Sequence, residues 1–136
     1  MTRVDLERLK ELKKQSSELD ERLRRLYEQA TRTTALLDGL PRGSAMRSKV
    51  ENSIVKIQST IEETRADIVE QVMLEGEFTE AVRELAVMER RVLTMRYVDV
   101  RGYRQIANEL GRSLDYVFKI HRRALKKILG EGSKGQ

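Results

Sequence analysis

Cysteine and tryptophan are absent from this 136-residue chain, and proline occurs once. Without cysteine there is neither a disulfide nor a thiolate metal site, and a reducing compartment suits the chain. A single proline leaves long helices uninterrupted. Four tyrosines and two phenylalanines are the whole aromatic complement. Apolar runs are short, the longest being of the size of Leu85-Ala86-Val87-Met88, whereas a membrane-spanning helix needs about 20 residues. The opening Met1-Thr2-Arg3-Val4-Asp5 has no apolar stretch of the secretory kind. A cytoplasmic protein with no membrane contact is the expectation. What is abundant is charge: 36% of residues are Asp, Glu, Lys or Arg, against an average near 25%. With 39% hydrophobic residues, the composition points to an all-α protein.

The apolar residues are spaced for helices. Leu9, Leu12, Ser16, Leu19, Leu23, Leu26, Ala30, Thr33, Leu37 and Leu40 alternate steps of three and four, the a/d seam of a coiled coil. Thr2 with Asp5 suits the start of this helix, and Asp38-Gly39 with Pro41 suits its end. The spacing therefore predicts one helix over 3–38. A second seam runs through Val50, Ile54, Ile57, Ile61, Thr64 and Ile68, opened by a capping box of Ser48 and Glu51. It predicts a helix over about 47–86, with a kink allowed at Gly76. The short connection between them, about 39–47, suits an antiparallel hairpin. Periodicity leaves open whether the seam closes within one chain or between two, so a homodimer through the N-terminal helices stays an option. A shorter helix over 88–98 carries Val92, Leu93 and Met95. The glycine-rich 130–136 is expected to be a disordered tail.

Residues 103–120 can be laid on a helix-turn-helix without a gap. Tyr103 to Leu110 form the first helix, Gly111 makes a left-handed turn, and the second helix follows from Ser113. Ala107 is small where the second helix crosses, and Ile106, Leu110, Val117 and Ile120 close the wedge. Such a unit places its second helix in the major groove of DNA. Charge agrees: residues 103–136 hold eight Lys and Arg against three Asp and Glu, which is 8 − 3 = +5, the whole net charge of the chain. Residues 1–102 are therefore neutral overall. A basic segment coinciding with the motif is the footprint of a phosphate-backbone binder, though a lysine-rich helix end also suits the helix dipole.

The stretch Glu89-Arg90-Arg91-Val92-Leu93-Thr94-Met95-Arg96-Tyr97-Val98 resembles the opening helix of region 4 of sigma-70-type transcription factors. Tyr103-Arg104-Gln105-Ile106-Ala107, Leu110-Gly111, Ser113, Val117 and Ala124-Leu125-Lys126-Lys127-Ile128 continue that order, so the resemblance covers about 82–129. It implies a domain that reads promoter DNA and touches RNA polymerase. Ala86-Val87 stand where family members often carry a proline. The chain lacks room for the region that melts the promoter, so a self-sufficient sigma factor is not expected. As a whole the chain is similar to small phage and prophage proteins that join a helical hairpin to a region 4-like domain. The expected organisation is a long antiparallel coiled-coil hairpin over 1–86, a sigma region 4-like helix-turn-helix domain over 87–129, and the tail 130–136.

On the second helix, Val117, Ile120 and Ala124 face inward by spacing, leaving Ser113, Leu114, Asp115, Phe118, Lys119, Arg122 and Arg123 outside. Lys119 and Arg122 suit guanine edges; Asp115 can accept from cytosine N4, and Phe118 can touch a thymine methyl or pack on protein. Arg104, Arg112, Arg123 and Lys126 suit phosphates, which position without specifying. Ser113 is the expected N-cap, where a phosphate can also bind. Arg42, Arg47 and Lys49 in the first loop are either further phosphate contacts or solvated charges. His121, the one histidine, is expected at a surface or boundary position near phosphate, and Glu62-Glu63 on a solvated face. No cofactor, metal site or nucleophile–base pair is legible, and no enzyme is expected. Double-stranded DNA is the expected partner, with host RNA polymerase a second one implied by the resemblance. Two other readings stay open: a phage DNA-packaging recognition subunit, and an adaptor whose region 4-like domain binds protein instead of DNA.

Overall fold

The structure, a computed structural model, describes residues 1–129; the tail expected to be disordered, 130–136, lies outside them. The described residues form six helices and no strand: α1 (Arg3–Lys14), α2 (Ser16–Asp38), α3 (Ala45–Ala81), α4 (Val87–Tyr97), α5 (Tyr103–Leu110) and α6 (Leu114–Leu129). The all-α expectation holds. None of these helices is long and apolar enough to cross a membrane.

The helix expected over 3–38 is divided at Gln15, which has φ −95° and ψ 1° and separates α1 from α2. The physical reason is a change of partner along one seam. Leu6, Leu9 and Leu12 are fully buried, and α1 packs on α4. Leu19 and the rest of α2 belong to a different compact unit. A three-four rhythm is the same on both sides of such a change, so spacing does not reveal it.

The chain forms two compact units. One joins Met1–Lys14 to the chain from Gln71 onward, and the other is Gln15–Glu70. The division expected at residue 86 falls inside the first unit. In the second, Val50, Ile57, Ile61 and Thr64 are buried, as their seam spacing predicts. The Arg47 guanidinium donates to the carbonyls of Leu37 (3.1 Å) and Leu40 (2.8 Å) at the end of α2. The Leu37 carbonyl also accepts from the Leu40 amide at 3.1 Å, past the helix end, and Arg47 adds a side-chain cap at this C-terminus. Arg47 lies in the first turn of α3, not in the loop, and is a structural residue rather than a solvated charge. Farther along, Arg65 lies over the Tyr27 ring at 5.7 Å.

The start of α3 corrects a second expectation. Helix begins at Ala45, and the Ser44 hydroxyl accepts from the Arg47 amide at 3.1 Å. Ser44 caps the helix, and Ser48 already lies inside it. At its other end α3 runs without interruption through Gly76 and stops at Ala81, short of 86. At the chain start, the Asp5 amide donates to the Thr2 hydroxyl (3.1 Å) and the Thr2 amide donates to Asp5 (3.0 Å), a reciprocal cap of the kind expected.

In the first unit, α4, α5 and α6 enclose a core of Val92, Met95, Ile106, Ala107, Val117 and Ile120. Met88, Tyr103, Leu110 and Tyr116 pack around it. Leu93 is also fully buried, outside that cluster. Lys13 of α1 pairs with Glu75 of α3 at 3.1 Å.

Candidate nucleic-acid interface

The helix-turn-helix forms where the sequence places it. Gly111 adopts φ 65° and ψ 36°, a left-handed conformation that costs other residues about 1–2 kcal/mol. The turn aims the Arg112 amide at the Ala107 carbonyl, 3.0 Å away. Ala107 is buried against Val117 and Ile120 in the core cluster, so a larger side chain there would push the two helices apart. Ser113 caps α6: its hydroxyl accepts from the Tyr116 amide at 3.1 Å.

All nine residues singled out from the sequence are exposed. Arg104 stands on the first turn of α5 and Asp115 on the first turn of α6. Lys119, Arg122 and Lys126 follow at steps of three and four along α6, so they form one basic stripe. Arg112 lies over the Tyr116 ring at 5.0 Å. Phe118 is 39% exposed, with its ring edge-on to Tyr103 at 5.0 Å. It packs on a ring of its own domain and still presents a face to solvent. Arg123 differs from the rest of the stripe, because its Nε donates to Glu89 Oε2 at 2.9 Å.

Glu89 is the buried carboxylate that the sequence reading missed, with 1% of its side chain exposed. It is the third residue of α4 and accepts from the Ala86 amide at 3.2 Å, closing half of a capping box. Lys127 Nζ lies 3.0 and 2.9 Å from its two oxygens. Burial pushes the carboxyl up, but hydrogen bonds from Lys127, Arg123 and the Ala86 amide outweigh it and hold the group below the usual carboxylate range. Glu89 thus clamps α6 to α4 and fixes the angle at which the basic stripe is presented. Its place three residues after the helix boundary was the available signal.

His121 is the other correction. It is not at the surface near phosphate but buried at 9% exposure. Its Nε2 lies 2.8 Å from the Tyr97 hydroxyl and 3.5 Å from that of Tyr103. Its ring stacks on Tyr97 at 5.7 Å. Burial, helped by the charges of Arg96 and Arg3, pushes the imidazole down to about 4. Burial also pushes the Tyr97 phenol up to about 12. Both rings are therefore neutral at pH 7 and belong to the core. The signal was present: His121 follows Val117 by four and precedes Ala124 and Leu125 by three and four, on the inward stripe of α6.

The face built in this way holds no convergent acid–base pair; it offers cations on a rigid helix, held at a fixed angle. No curated protein and no solved structure matches the chain. One family model does match, that of Sigma-70, region 4, over residues 81–128. The C-terminal part of this chain is accordingly a sigma-70 region 4 domain with its helix-turn-helix on α5 and α6.

Proposed function

We propose that this protein is a sequence-specific DNA-binding regulator of transcription, of phage or prophage type, acting in the cytoplasm at promoter-like DNA. One coincidence carries the reading: the region 4 match falls on the segment whose helix-turn-helix presents Arg104, Lys119, Arg122 and Lys126 to solvent. Sigma region 4 domains bind DNA and RNA polymerase, and host RNA polymerase is the second partner we propose. Lys119 and Arg122 reach base edges, where arginine can bind guanine bidentately. Asp115 and Phe118 flank them as contacts to cytosine N4 and a thymine methyl. Arg104, Arg112, Lys126 and the Ser113 cap hold phosphates. Arg123 does so more weakly, since Glu89 already answers its charge. α2 and the part of α3 in its unit form an antiparallel coiled-coil hairpin through which two copies pair.

The experiment is selection of bound duplexes from random DNA at two salt concentrations, followed by two variants. An enriched motif establishes specific readout, and a palindromic one establishes the dimer. Arg122→Ala should lose about 1–3 kcal/mol at one base position. Lys126→Ala should weaken all sequences alike and flatten the salt dependence. No enriched motif would overturn the reading. A closed ring of subunits would point instead to DNA packaging. RNA polymerase capture without DNA affinity would point to an adaptor.

A further inference from the structure

The neutrality of residues 1–102 conceals a local excess. Residues 1–14 hold Arg3, Arg8, Lys10, Lys13 and Lys14 against Asp5, Glu7 and Glu11, which is 5 − 3 = +2. This segment packs on α4 of the region 4 domain, although it lies outside the matched residues 81–128. Between α1 and the end of α4 runs an open groove of about 830 Å³. Arg3, Arg8, Lys10, Lys14 and Arg96 line it against two carboxylates, Glu7 and Glu11, a balance of +3. The carboxylates are answered locally, Glu7 by Lys10 at 3.1 Å and Glu11 by Arg8 at 3.9 Å. Arg3 and Lys14 are exposed and make no ion pair among the described residues.

Two features mark the groove as built for more than solvation. The Nε of Arg96 is buried without a hydrogen-bond partner among the described residues. Val100, on the groove wall, has φ 56°, a left-handed conformation that a β-branched side chain rarely takes. Such strain is held in place by the surroundings and collects where a surface serves a ligand. Here the turn carries the Arg101 amide to the Met95 carbonyl (2.9 Å), and the Arg101 carbonyl accepts from Arg96 Nη1 at 3.2 Å.

The groove is also joined to the helix-turn-helix. The Arg96 guanidinium lies 4.0 Å over the Tyr103 ring, and that ring meets Phe118 on the exposed side of α6 at 5.0 Å. Tyr103 opens α5, next to Arg104. The groove thus reaches the start of α5, beside Arg104. From Arg3 to Lys14, α1 spans about 16 Å at 1.5 Å per residue, or about five steps of one DNA strand at 3.4 Å each.

We infer that α1, docked on the region 4 domain, forms a second phosphate-binding track in which Arg3, Lys14 and Arg96 hold the DNA backbone beyond the segment read by α6. The inference rests on the proposed DNA-binding function and assigns that function a contact surface outside the matched domain. The test uses the full chain with Arg3→Ala and Lys14→Ala combined, on a duplex enriched by selection. Unchanged far-UV circular dichroism and thermal midpoint establish that the variant folds, as expected for two exposed positions. The slope of log affinity against log salt should fall by about 1–2, since each lost phosphate contact is worth about 0.9. The preference for the enriched duplex over a scrambled one should not change, whereas Arg122→Ala should change it. Trimming the duplex on one side should weaken the wild type more than the double variant, which keeps only Arg96 of the track. An unaltered slope in a protein that binds DNA specifically would overturn the track and leave the DNA-binding reading intact. Loss of inorganic tripolyphosphate binding with unchanged duplex binding would also overturn it, as a site for free anions. Absence of duplex binding by the wild type would overturn both.

Discussion

Acid should loosen the region 4 domain through His121, well before its carboxylates protonate. In the folded chain burial holds the imidazole at about 4, against 6.5 when it is free. The folded state therefore binds fewer protons than the unfolded chain between about pH 6.5 and pH 4. Stability from this group is complete above about pH 6.5 and drains away as the pH falls toward 4. At about 1.4 kcal/mol per pH unit, the total at stake is about 3 kcal/mol, and linkage places about 2 kcal/mol of it above pH 5. The check is urea unfolding of the wild type and His121→Gln, followed by tyrosine fluorescence. Three of the four tyrosines, Tyr97, Tyr103 and Tyr116, belong to this unit, and tryptophan is absent. At pH 7.5 the variant should be the weaker, having lost the ring stacking on Tyr97 and the 2.8 Å contact to its hydroxyl. The gap should narrow by about 2 kcal/mol at pH 5, because only the wild type has an imidazole to protonate. All other groups titrate alike in both proteins and cancel. A gap that stays constant between pH 7.5 and 5 would refute the reasoning, since His121 would then titrate as it does in the unfolded chain.

Glu89→Gln should cost about 2 kcal/mol, the scale of hydrogen bonds between charged partners; Arg123 and Lys127, each about half exposed, regain water. Because the Glu89 carboxyl is held low, its contribution is present above the ordinary value of 4.5 and is lost as the pH falls through the lowered one. The deficit of the variant should therefore shrink as the pH falls below 4.5, as urea midpoints at pH 7 and pH 3 would reveal. Gly111→Ala should lose about 1–2 kcal/mol from the left-handed turn alone, for no atom would meet the new methyl group; an unchanged thermal midpoint would contradict this. Val87→Pro should instead stabilise by about 0.4–1 kcal/mol. Position 87 is the first of α4, is 64% exposed, and follows Ala86 with ψ 155°, a conformation that proline tolerates before it. A lowered midpoint in calorimetry would count against that account.

Much of the fold could be read directly from local rules. Thr2 with Asp5, Gly111 and Ser113 each act on backbone groups within a few residues, so their roles are written in adjacent sequence. Val117, Ile120 and Ala124 face inward because a helix repeats every 3.6 residues, whatever it packs on. The same rule applied to His121 would have placed it inside; a polar side chain was read as exposed when its partners, Tyr97 and Tyr103, lay on other helices. Glu89 was hidden for the same reason, since Arg123 and Lys127 are 34 and 38 residues away. The break at Gln15 and the cap at Ser44 were missed because the Leu12–Leu19 spacing and the Ser48–Glu51 pair each satisfy a local pattern.

By itself, the sequence determined the helical character of the chain, most inward-facing apolar positions, the helix-turn-helix and the basic stripe on α6. These depend on periodicity, turn chemistry and charge, all of them short-range. Only the tertiary structure decided which helix each leucine serves, which charges are answered, and that α1 lies against the region 4 domain. Those outcomes depend on contacts between distant residues, and a repeating apolar seam is equally satisfied by more than one partner.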